Sequence, residues 1–385
     1  MASQKILAIN PFHGGSHRQF LNAVSKHSRH QWSVVAGKPV HWKWRMRSSP
    51  LELAAVAQQQ IAEHDYPDVV FCTDMLDLPQ WRGLLRDPRI LQTPTVAYFH
   101  ENQLTYPVSP HAKSDSHFGY TNLLTAFAAD ECWFNSEFHR TDFMKAGAEF
   151  VQRMPDAQAA HDFDALRTRT RVMPPGFEPP PQVASEPDSS GPIRLGWVSR
   201  WEYDKRPDQF LELLKLLEQG QVDFELILLG ARPKAIPHAL AEIRESFADR
   251  ILHDGFAESS HDYARLLGRM DVVISTADHE FFGIAVCEAI WAGAAPMLPN
   301  RLSYPELVAP ESIYDSLAEA ASKIQELGDR QQRRNMRIVN RQRMEPLQIE
   351  NVVIGIDDAI EDLQACLPTD PIQRGSETHR IHRPF

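Results

Sequence analysis

Cysteine is scarce in this chain: the four present, Cys72, Cys132, Cys287 and Cys366, stand far apart and form no Cys-x-x-Cys pair. That excludes a disulfide framework or thiolate zinc site as an organising element and fits a reducing compartment. Long apolar runs are missing too. The start, Met1-Ala2-Ser3-Gln4-Lys5, leads straight into a strand-like Ile6-Leu7-Ala8-Ile9 with no signal-peptide pattern, so the expected location is the cytoplasm, without membrane association. A basic excess is also lacking, the net charge being −11. The acid is unevenly spread: residues 1–173 hold 18 Lys and Arg against 17 Asp and Glu, with 11 of the 17 His. This balance is far from that of a dedicated nucleic-acid binder, yet it makes the first part the better place to meet an anionic partner.

What is present is alternation. At 385 residues the chain exceeds one ordinary core, and two domains are expected. Lys5 to Asn10, Trp32 to Val35, Val69 to Cys72, Thr95 to Phe99 and Glu131 to Phe134 read as strands, with helices at His17 to His27 and Pro50 to His64. Residues 174–192 are too rich in Pro, Gly and Ser for an element interior and form a linker. Beyond it strand and helix alternate again: Ile193 to Val198, Pro207 to Glu218, Phe224 to Leu229, Pro237 to Phe247, then Val272 to Ser275. The fold class is therefore α/β, with two doubly wound parallel-sheet domains facing a cleft, residues 1–173 and 193–346. A C-terminal helix is expected over 347–367 and a polar, unstructured tail over 368–385.

The most informative segment is His279 to Trp291. Glu280 and Glu288 stand eight positions apart, and if Gly283 marks a helix start, Glu280 lies in the loop before it and Glu288 on its second turn. Phe282, Gly283 and Ile284 would then form the open helix end, whose N–H groups and dipole suit a phosphate, with carboxylates nearby for sugar hydroxyls. A nucleotide sugar has that combination of parts. The segment resembles the Glu-x7-Glu motif of retaining glycosyltransferases of the two-domain GT-B type, built from two Rossmann-like domains. The run Leu195 to Pro207 is similar to the strand, Arg, loop, Lys pattern with which these enzymes grip the donor diphosphate, and it assigns Arg200 and Lys205 to the charge that builds up as the sugar leaves. The same resemblance implies that His100, at a strand end, contacts the donor sugar. Phe281 departs from the family's usual small residue, and the loop Ser275 to His279 departs from its usual Pro-Ser.

Four further segments narrow the resemblance. Asn10 to Phe20 puts a Gly14-Gly15 turn between strand and helix, where a backbone can approach a ligand or simply turn. It keeps company with His41 to Arg47, with Tyr98-Phe99-His100-Glu101-Asn102-Gln103-Leu104-Thr105-Tyr106-Pro107, and with Phe118 to Asn122 followed by Phe134 to Phe138. Together these resemble the glycosyltransferase-like family whose characterised activity is tRNA-queuosine α-mannosyl transfer, over roughly residues 5–310. The resemblance implies transfer of mannose from GDP-mannose to a hydroxyl of queuosine in the anticodon loop of tRNA-Asp, with no cofactor beyond that co-substrate, no metal and no obligate protein partner.

It places the donor against Gly14, Gly15, Arg200, Lys205, Phe282, Gly283, Ile284 and Glu288, with His100, Glu280, Arg200 and Lys205 as the catalytic group. His17, Asn102, Gln103, Asn135 and Ser136 fall on the acceptor side, as do Trp42, Lys43, Trp44, Arg45 and Arg47. The last five interleave indoles with cations, which suits stacking and phosphate contact on an unpaired loop. Trp42 and Trp44 packing inward from a half-buried strand is the equal alternative. Two rival functions share these motifs: a glycosyltransferase acting on a lipid, polysaccharide or other small acceptor, and a non-enzymatic binding module with a decayed site.

Overall fold

The computed structural model describes residues 3–63, 65–107, 115–156, 158–181, 191–231 and 236–365. The middle of the linker and the tail expected at 368–385 lie outside these residues. Two six-stranded sheets, parallel throughout, organise the chain. The first contains β1 (Lys5–Asn10), β2 (Gln31–Ala36), β3 (Val69–Thr73), β4 (Thr95–Phe99), β5 (Glu131–Phe134) and β6 (Thr170–Val172), in the order β2-β1-β3-β4-β5-β6. The second contains β7 (Ile193–Val198), β8 (Phe224–Leu229), β9 (Ile251–Gly255), β10 (Val272–Ile274), β11 (Ala295–Pro299) and β12 (Ile313–Tyr314), in the order β12-β11-β10-β7-β8-β9. In the second sheet the order reverses between β7 and β10, and in the first between β1 and β3. Such switch points open a crevice at the carboxyl ends of the strands.

Central strands read as unbroken apolar runs because helices cover both faces. Every residue of β3 and β4 is buried. The Pro207–Gln219 helix shows the complementary pattern, burying Phe210, Leu211, Leu213, Leu214 and Leu217 along one stripe while Phe210 stacks on Trp197 of β7 at 5.2 Å. A Pro at its first position favours this start.

Two elements differ from expectation. The helix expected from Pro50 begins at Trp42, with Pro50 in its interior, so Trp42 to Arg47 is neither strand nor loop. The C-terminal helix, Ile349–Ala365, folds back onto the first sheet: Ile349, Val353, Ile356 and Ile360 join Ile6, Phe20, Tyr98 and Trp133 in one cluster. Asp357 secures it by accepting from the Ser28 hydroxyl at 2.5 Å and the Arg29 N–H at 2.9 Å. No helix among the described residues is long and apolar enough to cross a membrane.

Candidate active site

The Glu-rich motif leaves the carboxyl end of β10 and turns into the Ile284–Ala292 helix through Gly283, whose φ of 103° is one L side chains rarely adopt. Gly283 has no side chain with which to cap the first turn, so the helix end opens into a small cleft bordered by Ser199, Lys205, Ser275, Glu280 and Tyr304. Lys205 reaches the same cleft from the loop after β7. Its ammonium is buried and donates to the His279 carbonyl at 2.7 Å, with Glu280 at 3.3 Å and Asp204 at 3.2 Å. The two loops are tied by Thr276, whose hydroxyl donates to the Lys205 carbonyl at 2.8 Å.

Burial works against the ionised form of both partners. Burial would lower Lys205, but Glu280 and Asp204 outweigh it and hold the ammonium above its ordinary range, even with Arg200 opposing. Burial would raise Glu280, but the Lys205 charge and hydrogen bond, with the Phe282 N–H, hold the carboxyl below its usual range. The two therefore stand as an ion pair at neutral pH. Arg200 lies more open, 3.6 Å from Glu202, and pairs with the Tyr106 hydroxyl of the first half. Glu288 sits one helical turn deeper and accepts from the Tyr263 hydroxyl at 2.6 Å; burial pushes it up to about 7 against that bond.

Across the cleft, His100 and Glu101 leave the carboxyl end of β4. The His100 N–H donates to Asp74 at 3.1 Å and its carbonyl accepts from Asn135 at 2.8 Å. Burial, with His17 and His139 close by, keeps the His100 ring neutral. His17 lies against it, ring centroids 4.1 Å apart, and is likewise lowered by burial to about 4. Gly14 is required by packing, since a Cβ there would meet Pro39 at 2.4 Å. Gly15, at φ 51°, has open space where a Cβ would point, which leaves its backbone approachable.

The remaining acceptor-side residues divide. Asn102 is fully buried and donates to Asp142 at 3.0 Å and Thr105 at 3.2 Å while accepting from the Leu104 N–H, so it shapes the turn rather than facing the cleft. Gln103 reaches Glu101 at 3.5 Å. Ser136 caps the Glu137–Gln152 helix and donates to the Phe281 carbonyl at 2.8 Å, a bond between the two halves. Phe281 itself stacks on His139 at 3.9 Å and meets His279 edge-on, so the bulky residue fills the seam between halves. Glu306 completes that seam by accepting from the backbone N–H groups of Glu137 and Phe138 at 2.8 and 2.6 Å.

In the Trp42–Glu63 helix, Arg45 is buried and paired with Glu52 at 2.9 Å, which removes it from the surface. Trp44 is 58% exposed, Lys43 lies over the half-buried Trp42, and Arg47 pairs with Asp115 at 2.7 Å beside Phe118. Tyr106, Tyr263, Glu101 and Glu306 were not reached from sequence as site residues. Tyr106 stands inside a quoted motif, but the groups it meets are in the opposite half, as are those of Glu306. A larger cavity bordered by Lys5, Gln31, Trp32 and Glu63 lies at the amino ends of β1 and β2, away from all of this. Among the described residues no group of three or more His, Cys, Asp or Glu is placed to hold a metal ion.

Two facing parallel α/β halves, with Arg200, Lys205 and an open helix end at the switch point of the second, define a GT-B glycosyltransferase. The fold agrees with solved structures: sucrose-phosphate synthase from Thermosynechococcus elongatus superposes with a TM-score of 0.70 at 16% identity over 94% of this chain and all of that one. Anabaena HepE in complex with UDP gives 0.64 at 17% identity over 93% and 100%. The chain belongs to the tRNA-queuosine alpha-mannosyltransferase family. Residues 5–177 match the family model for the N-terminal region of that enzyme, and residues 182–343 match glycosyl transferases group 1. The tRNA-queuosine alpha-mannosyltransferase of Drosophila melanogaster is 34% identical over 334 residues, covering 84% of this chain and 86% of that protein. A GDP-mannose-dependent alpha-(1-6)-phosphatidylinositol dimannoside mannosyltransferase of Mycobacterium tuberculosis is 25% identical over 258 residues, covering 66% and 63%.

Proposed function

We propose that this glycosyltransferase moves mannose from GDP-mannose to a hydroxyl of the queuosine cyclopentenediol in the anticodon loop of tRNA-Asp, with retention at the sugar carbon. The observation that carries the donor half is the Lys205–Glu280 pair beneath the open end of the Ile284–Ala292 helix. The diphosphate takes the helix N–H groups with Lys205 and Arg200, the sugar hydroxyls bond to Glu280 and His100, and the ribose hydroxyls bond to Glu288. The likeness to a Drosophila enzyme named for queuosine supports the acceptor, and the likeness to a GDP-mannose-dependent enzyme supports the donor.

Chemistry follows from charge. As the bond from the sugar C1 to the diphosphate oxygen breaks, its electron pair stays on the diphosphate, where Lys205, Arg200 and the helix dipole stabilise it. The acceptor hydroxyl forms its bond to C1 on the same face, and its proton passes to a diphosphate oxygen. Glu280, held by Lys205, orients the sugar and is not assigned as a nucleophile.

The test is incubation of purified protein with GDP-mannose and queuosine-containing tRNA-Asp, digestion, and mass spectrometry of the nucleosides. A queuosine heavier by one hexose is expected. Its absence, with nucleotide sugar still bound, overturns the acceptor and directs the search to lipid or saccharide acceptors.

A further inference from the structure

Glu101 is the carboxylate that enters the cleft directly after His100, and nothing in the donor chemistry uses it. It is half-buried and feels Arg200, Lys205, Glu280 and Asp204, all from the opposite half of the molecule. Gln103 reaches it only at 3.5 Å, a long contact for an ionised group. Burial drives this carboxyl up to about 7, with Arg200 and Lys205 pulling it down and Glu280 and Asp204 pushing it up.

Donor binding sharpens the conflict. A diphosphate on Arg200 and Lys205 neutralises the two cations that now favour the ionised Glu101 and adds negative charge of its own. The neighbouring histidines cannot supply the missing positive charge. His17 and His279 are lowered to about 4, each chiefly by burial, and burial holds His100 and His139 well below the ordinary value. The wall beside Glu101 also carries buried polar atoms without partners: Asp74 Oδ2, His100 Nε2 and Asn135 Oδ1. Buried groups of that kind call for a polar ligand. Glu101 and this polar wall together leave room for a hydrogen-bonding, positively charged group of the acceptor.

We propose that Glu101 binds a protonated amine on the acceptor nucleoside and so selects for a cationic acceptor once the donor is seated. The inference rests on the acceptor reading given above. Queuosine carries a secondary amine on the same five-membered ring as its two hydroxyls, so anchoring the ammonium at Glu101 turns those hydroxyls toward the sugar site. An unmodified guanosine offers neither the cation nor the diol.

The test uses full-length protein, GDP-mannose and queuosine-containing tRNA-Asp, with Glu101→Gln as the isosteric neutral variant and Glu101→Asp as the conservative one. Glu101→Gln is expected to raise KM for the tRNA by roughly ten- to a hundredfold, as for loss of a charged hydrogen bond. GDP affinity should not fall, because Glu101→Gln removes a negative charge facing the diphosphate and coupling between two sites is reciprocal, and Glu101→Asp should recover part of the loss. Acetylating the queuosine amine should penalise the wild type by a similar factor while adding little to the Glu101→Gln penalty, because both changes remove one interaction. Wild-type KM in Glu101→Gln, or penalties that simply multiply, overturns the assignment of Glu101 alone. No hexose transfer by the wild type overturns the acceptor reading and this inference with it.

Discussion

Lys205 stands 3.3 Å from Glu280 and 2.7 Å from the His279 carbonyl, which makes one buried ammonium the tie between the loop after β7 and the loop after β10. The same ammonium faces the helix end that receives a diphosphate in the proposed reaction. Lys205→Ala should lower kcat by about 10² to 10³, the usual effect of removing one group that stabilises developing charge, and leave tRNA affinity at the wild-type value. Comparing kcat with the Kd for tRNA checks this; equal losses in both would sink the assignment.

Asp271 predicts a stability effect remote from that cleft. Its carboxylate is 1% exposed and accepts from the Arg194 N–H at 3.0 Å, the Arg194 Nε at 3.1 Å and Arg337 at 2.8 Å. Replacing it with Ala leaves buried guanidinium groups facing one another, at a cost of about 3–5 kcal/mol. Denaturant titration of Asp271→Ala should show a lowered midpoint, and an unchanged one contradicts the role. Asp271→Asn should fall between, since it keeps an acceptor oxygen but loses the charge.

These two sites show what sequence could reveal. The order strand, acidic loop, Gly283, helix is local, so the open helix end and the place of Glu280 could be read from one segment. Lys205 was singled out by the resemblance of the run Leu195 to Pro207 to the strand, Arg, loop, Lys pattern of GT-B enzymes. The roles of Asn102 and Ser136 were not legible, because their side chains are claimed by Asp142 and by the Phe281 carbonyl, 40 and 145 residues away. Glu306 caps a helix 169 residues upstream, which no periodicity announces. The start of the Trp42–Glu63 helix was missed for a different reason. Proline favours a first turn, so Pro50 marked a helix start, whereas burial of Met46, Ser49 and Pro50 carries the helix through it.

Glu288 should make stability depend on pH in an unusual direction. Burial raises it to about 7 from an ordinary value of 4.5, with the Tyr263 hydroxyl opposing and Glu178 adding. Between those values the folded protein holds more protons than the unfolded chain, so this group favours folding most at low pH and progressively less as pH rises toward 7. A salt-bridged carboxylate behaves in the opposite way. Glu288→Gln cannot ionise, so its Tm relative to wild type should climb from pH 5 to pH 8, by the equivalent of up to about 3 kcal/mol. A Tm difference that stays flat across that range contradicts the raised value.

The Trp42 to Arg47 turn separates surface chemistry from structure within six residues. Trp44 is exposed and Lys43 and Arg47 lie on the outside, whereas Arg45 is buried against Glu52. If this turn meets the anticodon loop, Trp44→Ala should weaken tRNA binding by about 1–3 kcal/mol through lost stacking. Lys43→Ala and Arg47→Ala should each flatten the slope of log K against log salt by about 0.7 to 0.9, as one phosphate contact is lost. Arg45→Ala should instead lower Tm and leave that slope unchanged, because its guanidinium serves Glu52 and not the solvent face. Filter binding of tRNA-Asp across a salt series, with Tm measured in parallel, distinguishes the four variants; a salt slope unchanged in both Lys43→Ala and Arg47→Ala removes this helix from the RNA path.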